Sequence, residues 1–279
     1  MVSSSDASLR DLAGPVVLVG AGKMGSAMLD GWIGLGLDPA RIAVLEPQAS
    51  AAVTALAARG LKLNPDRNSV RDPAVVVVAV KPQVAGEVVP ALAPLVGPST
   101  VVLSIMAGKT LASIAQALPA GTAIIRTMPN TPAAIGRGIT VAVANGEVKP
   151  SQRALAHRLL GAVGAVEWVE REGLLDAVTA VSGSGPAYVF LLAETLARAG
   201  AAAGLPADLA ARLARATVAG SGELLHRSAL DPQTLRENVS SPGGTTAAAL
   251  DVLMAPKGLA PLMEQAVAAA TQRSRALAG

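Results

Sequence analysis

A glycine-rich segment near the N-terminus has the residue types and spacing to bind a phosphate. This glycine loop reads Gly20-Ala21-Gly22-Lys23-Met24-Gly25 and lies between an apolar run and a helical pattern. In a strand–loop–helix unit the first glycine allows the tight turn, the second lets the backbone approach a pyrophosphate, and the third lets helix and strand pack. The N–H groups that begin the helix attract the negative charge. The loop therefore predicts a dinucleotide site rather than a glycine-rich turn without a ligand.

Glu46 is the residue expected to discriminate between the two nicotinamide dinucleotides. It ends the predicted second strand, about twenty residues beyond the loop, where a carboxylate can bind both ribose hydroxyls and repel a 2′-phosphate. Its position favours NADH. Lys23 and Arg41 could offset the repulsion, however, and Pro47 could turn the carboxylate aside. The sequence predicts NADPH or NADH as the cofactor, with a slight preference for NADH.

Three later strand ends would reach the same edge of the sheet, where open α/β sheets bind ligands. Ala79-Val80-Lys81-Pro82 ends one apolar run, and a lysine followed by a proline makes a rigid, charged exit suited to ribose or phosphate. A solvated loop lysine is the alternative. Ser104-Ile105-Met106-Ala107-Gly108 ends the next run, and its glycine permits close approach. Arg126-Thr127-Met128-Pro129-Asn130-Thr131-Pro132 follows, and its prolines predict a fixed loop near the reactive end of the cofactor.

A second glycine-rich segment, residues 238–246, reads NVSSPGGTT and leads straight into a predicted helix. Its glycines expose backbone N–H groups, and its threonines would open the helix as caps. Ordinary N-capping with a flexible lead-in is the alternative. Because the chain already has a phosphate loop, this second anion-binding helix start predicts a site for a small carboxylate substrate. The residues expected to bind the substrate there are Ser241, Gly243, Gly244, Thr245 and Thr246.

The chain lacks the side chains that several other chemistries need. It has no cysteine, only two histidines, and a single tyrosine, Tyr188. Thiol catalysis and disulfides are thereby excluded. A hydroxy-acid dehydrogenase needs a group that takes or gives the hydroxyl proton. An imine reduces that demand, because its nitrogen can enter already protonated as an iminium, which is a better hydride acceptor. The composition therefore favours an imine substrate.

The elements that must position these segments divide the chain in two. Apolar runs alternate with helical patterns up to about residue 170, and only helical patterns follow. We predict an α/β fold with a disordered lead-in (1–13), an N-terminal Rossmann-like dinucleotide-binding domain (14–170) and an all-α C-terminal domain for dimerisation and substrate binding (171–279). The predicted strands are 16–19, 41–45, 75–80, 100–105, 123–126, 139–144 and 166–169. The predicted helices are 23–34, 48–59, 151–163, 174–181, 187–203, 207–225, 232–238, 246–253 and 259–277.

Composition bears on partners and location. Mean hydropathy is +0.47, but the longest uncharged stretch, 88–108, is interrupted by three prolines, so no membrane span is expected. The N-terminus lacks the apolar segment of a signal peptide, and a cytoplasmic protein is expected. A net charge of +3 and 1% aromatic residues give nucleic-acid binding little support. The later helices carry few charges, which favours self-association over a mere alanine bias.

These segments resemble those of a known family. The glycine loop, Ala79-Val80-Lys81-Pro82-Gln83, Ser182-Gly183-Ser184-Gly185-Pro186-Ala187-Tyr188 and 238–246 occur in the order seen in pyrroline-5-carboxylate reductases. The chain resembles that family from about Pro15 to its C-terminus. The resemblance implies NAD(P)H-dependent reduction of 1-pyrroline-5-carboxylate to L-proline, the last step of proline biosynthesis. It also implies a helical domain that interlocks with a partner's, giving a homodimer that can assemble into a decamer of five dimers.

The resemblance also implies roles for individual residues. Glu172, Thr245 and Thr246 are expected to face the substrate, with Thr246 bonded to its ring nitrogen. The family is commonly NADPH-linked, whereas Glu46 favours NADH. A β-hydroxyacid dehydrogenase and a non-catalytic dinucleotide-sensing protein are the alternatives. The residues expected to hold the cofactor are Gly20, Ala21, Gly22, Lys23, Met24, Gly25, Glu46, Ala79, Val80, Lys81, Pro82, Ile105, Met106, Ala107 and Asn238.

Overall fold

Runs of β-branched residues form the centre of the sheet that carries the glycine loop. In this computed structural model, which describes residues 8–12 and 14–277, every residue of Val16–Val19 and Val75–Val78 is buried. Strands covered on both faces read as continuous apolar runs. The strands of the described residues are β1 (Val16–Val19), β2 (Ile42–Leu45), β3 (Lys62–Leu63), β4 (Val75–Val78), β5 (Val101–Ser104), β6 (Ala123–Met128), β7 (Gly138–Ala144) and β8 (Gly164–Trp168). They form one sheet in the order β3-β2-β1-β4-β5-β6-β7-β8.

The sheet is parallel except at one pair of strands, whereas an alternation of strands and helices is typical of a sheet that is parallel throughout. β7 pairs antiparallel with β6, and β8 lies parallel to β7. Nine residues separate Met128 from Gly138, whereas parallel neighbours need a crossover of about a dozen or more residues. The short connection therefore reverses the chain. The two-residue edge strand β3 was not predicted, because it is too short to show a period.

Helices cover both faces of the sheet and then make up the rest of the chain. The predicted helix 48–59 is shorter than expected, because Ser50 caps α2 and a 3₁₀ turn, Ala57–Arg59, follows it. Helix α6 ends in a π-turn, Thr179–Gly183. The α-helices of the described residues are α1 (Lys23–Gly34), α2 (Ala51–Leu56), α3 (Ala85–Val88), α4 (Leu111–Ala115), α5 (Pro150–Gly161), α6 (Leu174–Val178), α7 (Gly185–Ala202), α8 (Ala207–Arg227), α9 (Pro232–Asn238), α10 (Thr245–Leu253) and α11 (Leu259–Leu277). The predicted α/β region followed by a helical region is confirmed.

The core lies in two layers, one on each face of the sheet. Val16 and Leu18 of β1 face the layer that contains α1 and α5, while Val17 and Val19 face the layer that contains α3 and α4. This alternation follows from the two-residue period of a strand. Trp32 of α1 is fully buried, and its Nε1–H donates to the carbonyl of Leu159 at 2.9 Å. The two layers hold β1 at the centre of the sheet and fix the position of the loop that follows it.

Part of the predicted lead-in is packed. Leu9 and Leu12 are buried, and the N–H of Leu9 donates to the carbonyl of Leu35 at 3.0 Å. The expectation of disorder is therefore wrong for residues 8–12, because two leucines three positions apart supply apolar surface to the α1 layer. Residues 1–7 and 13 lie outside the described residues.

The described chain separates into two compact units. One takes in the residues up to Gly183 and those from Thr271 onward, and the other is Ser184–Ala270. The first unit thus runs past the predicted division at 170. Leu175 of α6 is fully buried with side chains of β6 and β7, and Ser274 Oγ donates to Asp176 at 2.7 Å. These contacts join α6 and the end of α11 to the sheet.

Helix α7 is largely exposed to solvent in the single chain. None of its 18 residues is buried, and four consecutive residues, Val189, Phe190, Leu191 and Leu192, are 47–69% exposed. Consecutive residues point about 100° apart, so several faces are uncovered. The stretch Leu174–Ala202 is also long and apolar enough, by length and composition, to cross a membrane.

Candidate functional site

The glycine loop has the geometry of a phosphate cradle. Gly20 has φ +92°, and a Cβ there would lie 2.7 Å from the carbonyl oxygen of Ala79; a Cβ on Gly25 would collide with the carbonyl of Gly20. Gly22, the N-cap of α1, has no neighbour within 4 Å of its Cβ direction, so the space beside it is open. No side chain caps α1 and no acidic residue lies in its first turn. Free N–H groups and a positive helix end therefore face open space, which fits a pyrophosphate.

Glu46 turns toward the loop. Its Oε2 accepts the Ala21 N–H at 2.8 Å, and its Oε1 accepts the Gln48 N–H at 2.9 Å. Pro47 therefore does not turn the carboxylate away. Arg41 precedes β2 while Glu46 follows it, and the Arg41 guanidinium donates to the carbonyl of Gly14 at 3.2 Å. A four-residue strand spans about 13 Å, so Arg41 is not placed to neutralise Glu46.

The residues that follow β4 place backbone groups and one exposed cation beside the glycine loop. The N–H of Ala79 donates to Val19 at 2.7 Å, and Val80 packs beside Gly20. Lys81 is exposed and starts a 3₁₀ turn, Pro82–Val84. These contacts bring the ends of β1 and β4 together, as their parallel pairing requires.

The end of β5 differs in detail from expectation. Met106 is 1% exposed, and its N–H donates to Ser104 Oγ at 3.2 Å, so its side chain belongs to the core and only its carbonyl is left for a ligand. Ala107 is exposed and Ile105 half-buried. Gly108 has φ +70°, and a Cβ there would lie 3.2 Å from the carbonyl oxygen of Leu277. That glycine therefore admits α11 of the same chain, not a cofactor.

The 238–246 segment forms a tight turn into α10. The N–H of Gly244 donates to the carbonyl of Ser241 at 3.0 Å, with Pro242 and Gly243 (φ +72°) between them, as in a type II turn. The Gly244 N–H is therefore engaged, contrary to the expectation that it is free. The N-cap is Gly244 without a side-chain bond, so the predicted threonine caps are also wrong.

The threonines instead have free hydroxyls. Thr245 and Thr246 are the first two residues of α10, and within the described residues neither hydroxyl has a hydrogen-bond partner. Helix α10 has no acidic residue in its first turn. Helix α9 ends at Asn238, just before the turn, and is capped by Asp231. Hydrogen bonds from the Thr234 side chain and N–H hold the pKa of Asp231 below its usual range. The α10 start thus offers unused donors where a carboxylate can bind.

Glu172 forms an ion pair inside the sheet unit. Its Oε1 accepts Arg126 Nη1 at 2.8 Å and the Leu111 N–H, at the start of α4, at 2.7 Å. The Arg126 side chain is 4% exposed, and its Nε and Nη2 have no partner in the described structure. Glu172 therefore anchors α4 to β6. A substrate role for Glu172 stays a prediction.

Comparison with known proteins identifies the family. Residues 172–277 match the model of the pyrroline-5-carboxylate reductase dimerisation domain, and 15–108 match that of the coenzyme F420-dependent NADP oxidoreductases. The chain is 39% identical to a pyrroline-5-carboxylate reductase of Pseudomonas aeruginosa, over 94% of this chain and 96% of that one. The Synechocystis enzyme is 41% identical over 93% and 97%. The chain belongs to the pyrroline-5-carboxylate reductase family.

Solved structures agree with this assignment. The reductase of Coxiella burnetii superposes with a TM-score of 0.87 at 33% identity, covering 95% of this chain and 98% of that one. The Plasmodium falciparum enzyme, solved with NADP bound, gives a TM-score of 0.79 at 28% identity, covering 96% and 99%. The predicted Rossmann-like domain and helical dimerisation domain are thus confirmed, as is the family itself.

The structure groups the predicted site residues by unit. The glycine loop, Glu46 and the ends of β4 and β5 belong to the sheet unit, while Asn238 and Thr246 belong to the helical unit. Sequence reasoning missed Asn64, whose side chain bonds the backbone of Glu46, and it gave no role to Arg126. An arginine within an apolar strand was a usable signal, because buried charges are paired. The cofactor and substrate contacts of individual residues stay predictions.

Proposed function

We propose that this reductase converts 1-pyrroline-5-carboxylate to L-proline with NADPH or NADH, the last step of proline biosynthesis. One observation carries the proposal: α1 and α10 both start at uncapped glycines, in a chain that aligns over 94% of its length with a pyrroline-5-carboxylate reductase. A dinucleotide brings phosphates for one helix start, and the substrate brings a carboxylate for the other. Similarity to these relatives does not favour the two alternatives, a β-hydroxyacid dehydrogenase and a non-catalytic dinucleotide-sensing protein.

The cofactor is assigned to the sheet unit. The open space at Gly22 and the free N–H groups of α1 support a pyrophosphate there, and the carboxylate of Glu46 supports a ribose. Lys81 is an exposed cation at the same sheet edge. When bound, the reduced nicotinamide supplies the hydride. The cofactor contacts that we propose also include Pro82, Ile105 and Ala107 of the sheet unit and, from the helical unit, Asn238.

The substrate carboxylate is assigned to the start of α10. The N–H groups of Thr245 and Thr246 and the hydroxyl of Ser241 would hold it, and the Thr246 hydroxyl would bond the ring nitrogen. With that nitrogen protonated, addition of hydride to the C=N carbon gives the neutral amine, and no proton needs to be delivered in the same step. This fits a site whose described groups are hydroxyls and backbone amides.

Assembly through the helical unit is also part of the proposal. The chain carries a dimerisation domain at 172–277, and the exposed leucines and Phe190 of α7 would be covered by the same helices of a second copy. Burial of such side chains contributes roughly 1.5–3 kcal/mol each. We propose a homodimer, with a decamer of five dimers as a further assembly. This use of α7 is favoured over membrane insertion because the family model for that stretch is a dimerisation domain.

A cytoplasmic location and a small-molecule substrate, with no nucleic acid or membrane partner, follow as proposals from the same activity.

The proposed activity can be tested directly. Purified protein is mixed with 1-pyrroline-5-carboxylate and either NADH or NADPH, while cofactor absorbance and L-proline are followed. We expect substrate-dependent oxidation with one proline formed per cofactor consumed. Cofactor binding without turnover would instead support a dinucleotide-sensing protein. Cofactor oxidation without formation of proline would indicate a different reaction.

A further inference from the structure

The carboxylate of Glu46 is held in one position by backbone amides on either side. Ala21 of the glycine loop and Gln48 after β2 each donate to one of its oxygens, at 2.8 and 2.9 Å. Each carboxylate oxygen retains another lone pair that can accept a ribose hydroxyl. The charge thus stays fixed beside the loop and does not swing on a flexible side chain.

Asn64 in turn holds the backbone of Glu46. Its Oδ1 accepts the Glu46 N–H at 2.8 Å, and its Nδ2 donates to the Glu46 carbonyl at 3.0 Å. Its own N–H donates to the Val44 carbonyl at 2.8 Å, and its φ is +46°. Edge strand β3 ends one residue earlier, at Leu63. The side-chain amide therefore replaces the missing peptide group and extends the sheet ladder to Glu46.

We propose that Asn64 is the positioning residue for coenzyme choice, holding Glu46 where it excludes a 2′-phosphate, so that the protein prefers NADH. The proposal rests on the proposed use of a nicotinamide dinucleotide. A 2′-phosphate placed at the end of β2 meets a fixed like charge, and Arg41, at the other end of the strand, cannot offset it. At a half-exposed site this repulsion corresponds to roughly a ten-fold difference in affinity.

Asn64→Gly is the informative variant. Glycine accepts the positive φ without strain, so only the two amide hydrogen bonds are lost. Asn68→Ala is the matched control, because this exposed asparagine lies four residues further along and makes no bond to Glu46 within the described structure. Glu46→Gln removes the charge and keeps the shape.

The assay is calorimetric binding of ADP-ribose and of 2′-phospho-ADP-ribose to the full chain, without turnover. We expect the wild type and Asn68→Ala to favour ADP-ribose about ten-fold. Asn64→Gly should reduce that ratio several-fold, and Glu46→Gln should reduce it at least as much. In the Glu46→Gln background, Asn64→Gly should change the ratio no further, since both act through one charge.

Several outcomes would overturn the proposal. Equal weakening of both ligands by Asn64→Gly would leave Asn64 a purely structural residue. A wild type that binds the 2′-phosphate as tightly would remove Glu46 as the discriminating group, while the proposed reductase function would stand. Failure to bind either ligand would count against the dinucleotide site itself. Should Asn64→Gly not fold, Asn64→Ser, whose hydroxyl cannot bridge both backbone groups, gives the same test.

Discussion

Replacing Thr246 with alanine tests the proposed substrate-binding role of the α10 start. The structure makes this substitution clean, because the Thr246 hydroxyl makes no bond in the described chain and the N-cap of α10 is Gly244. Alanine is also the better helix former, by up to about 0.7 kcal/mol. We therefore expect thermal stability to stay the same or to rise slightly.

Activity should respond quite differently. A hydrogen bond to a charged group contributes roughly 1.5–3 kcal/mol, and about 1.4 kcal/mol corresponds to a factor of ten. Thr246→Ala should thus lower kcat/KM for 1-pyrroline-5-carboxylate by about ten- to two-hundred-fold. Thr246→Ser should recover most of the loss, since the hydroxyl remains.

The assay measures kcat/KM at saturating cofactor, the cofactor dissociation constant by fluorescence, and the melting temperature. Thr54→Ala is the matched control, because that exposed hydroxyl bonds only the Ser50 carbonyl of its own helix and lies outside the proposed interface. Full activity of Thr246→Ala would refute the assignment. A defect mainly in cofactor affinity would place Thr246 at the other ligand, and a large fall in melting temperature would make it a structural residue.

Three further substitutions test other parts of the reasoning. Glu46→Ser should raise kcat/KM with NADPH relative to NADH several-fold, because a like charge worth about 1 kcal/mol is removed; an unchanged ratio in steady-state rates would mean that the carboxylate does not face the ribose. Phe190→Asp should convert the assembly to monomers in sedimentation velocity, since Phe190 is 69% exposed in the single chain and a charge would be buried only by a partner; retention of the dimer would exclude this face. Glu172→Ala should lower the free energy of unfolding by about 3 kcal/mol in urea titration, because it leaves Arg126 buried without its ion-pair partner; a loss below about 1 kcal/mol would mean that water reaches the guanidinium.

The sheet could be predicted because its information is local. Four consecutive valines in β4 mark a strand buried on both faces, and the glycines before α1 mark its start. The antiparallel direction of β7 could not be predicted from its own residues. It depends on the connection from β6, whose nine residues are too few for a crossover to a parallel neighbour. The packing of Leu9 depended on a partner 26 residues away, the Leu35 carbonyl. Long-range contacts therefore account for most of what the sequence left open.

In the candidate site, too, the features set by local sequence could be predicted, and the contacts between distant residues could not. The residue types in the glycine loop were sufficient to predict a phosphate cradle, because glycine is required there by backbone geometry. The bonds from Asn64 to Glu46, 18 residues apart, and from Arg126 to Glu172, 46 residues apart, join separate elements. Neither hydrophobic periodicity nor a sequence motif predicts such pairs. The misassigned threonine caps have another cause: a glycine in extended conformation can take the N-cap position, which leaves the hydroxyls free.

In both proposed anion sites, at the starts of α1 and α10, backbone and hydroxyl groups would hold the anion. Helix α2 is capped by Ser50 and α9 by Asp231, whereas α1 and α10 begin at Gly22 and Gly244 with no side-chain cap and no acid in the first turn. A glycine at the N-cap costs only a few tenths of a kcal/mol relative to a capping side chain, and it leaves N–H groups that a bound phosphate or carboxylate would satisfy. Because the donors are peptide N–H groups, they carry no net charge that would need neutralising in the free protein. On this proposal, a chain with only 15% charged residues needs no cluster of cationic side chains to bind two anionic ligands. The proposal assigns ligand discrimination to single side chains beside the two helix starts, Glu46 near α1 and Thr246 in α10.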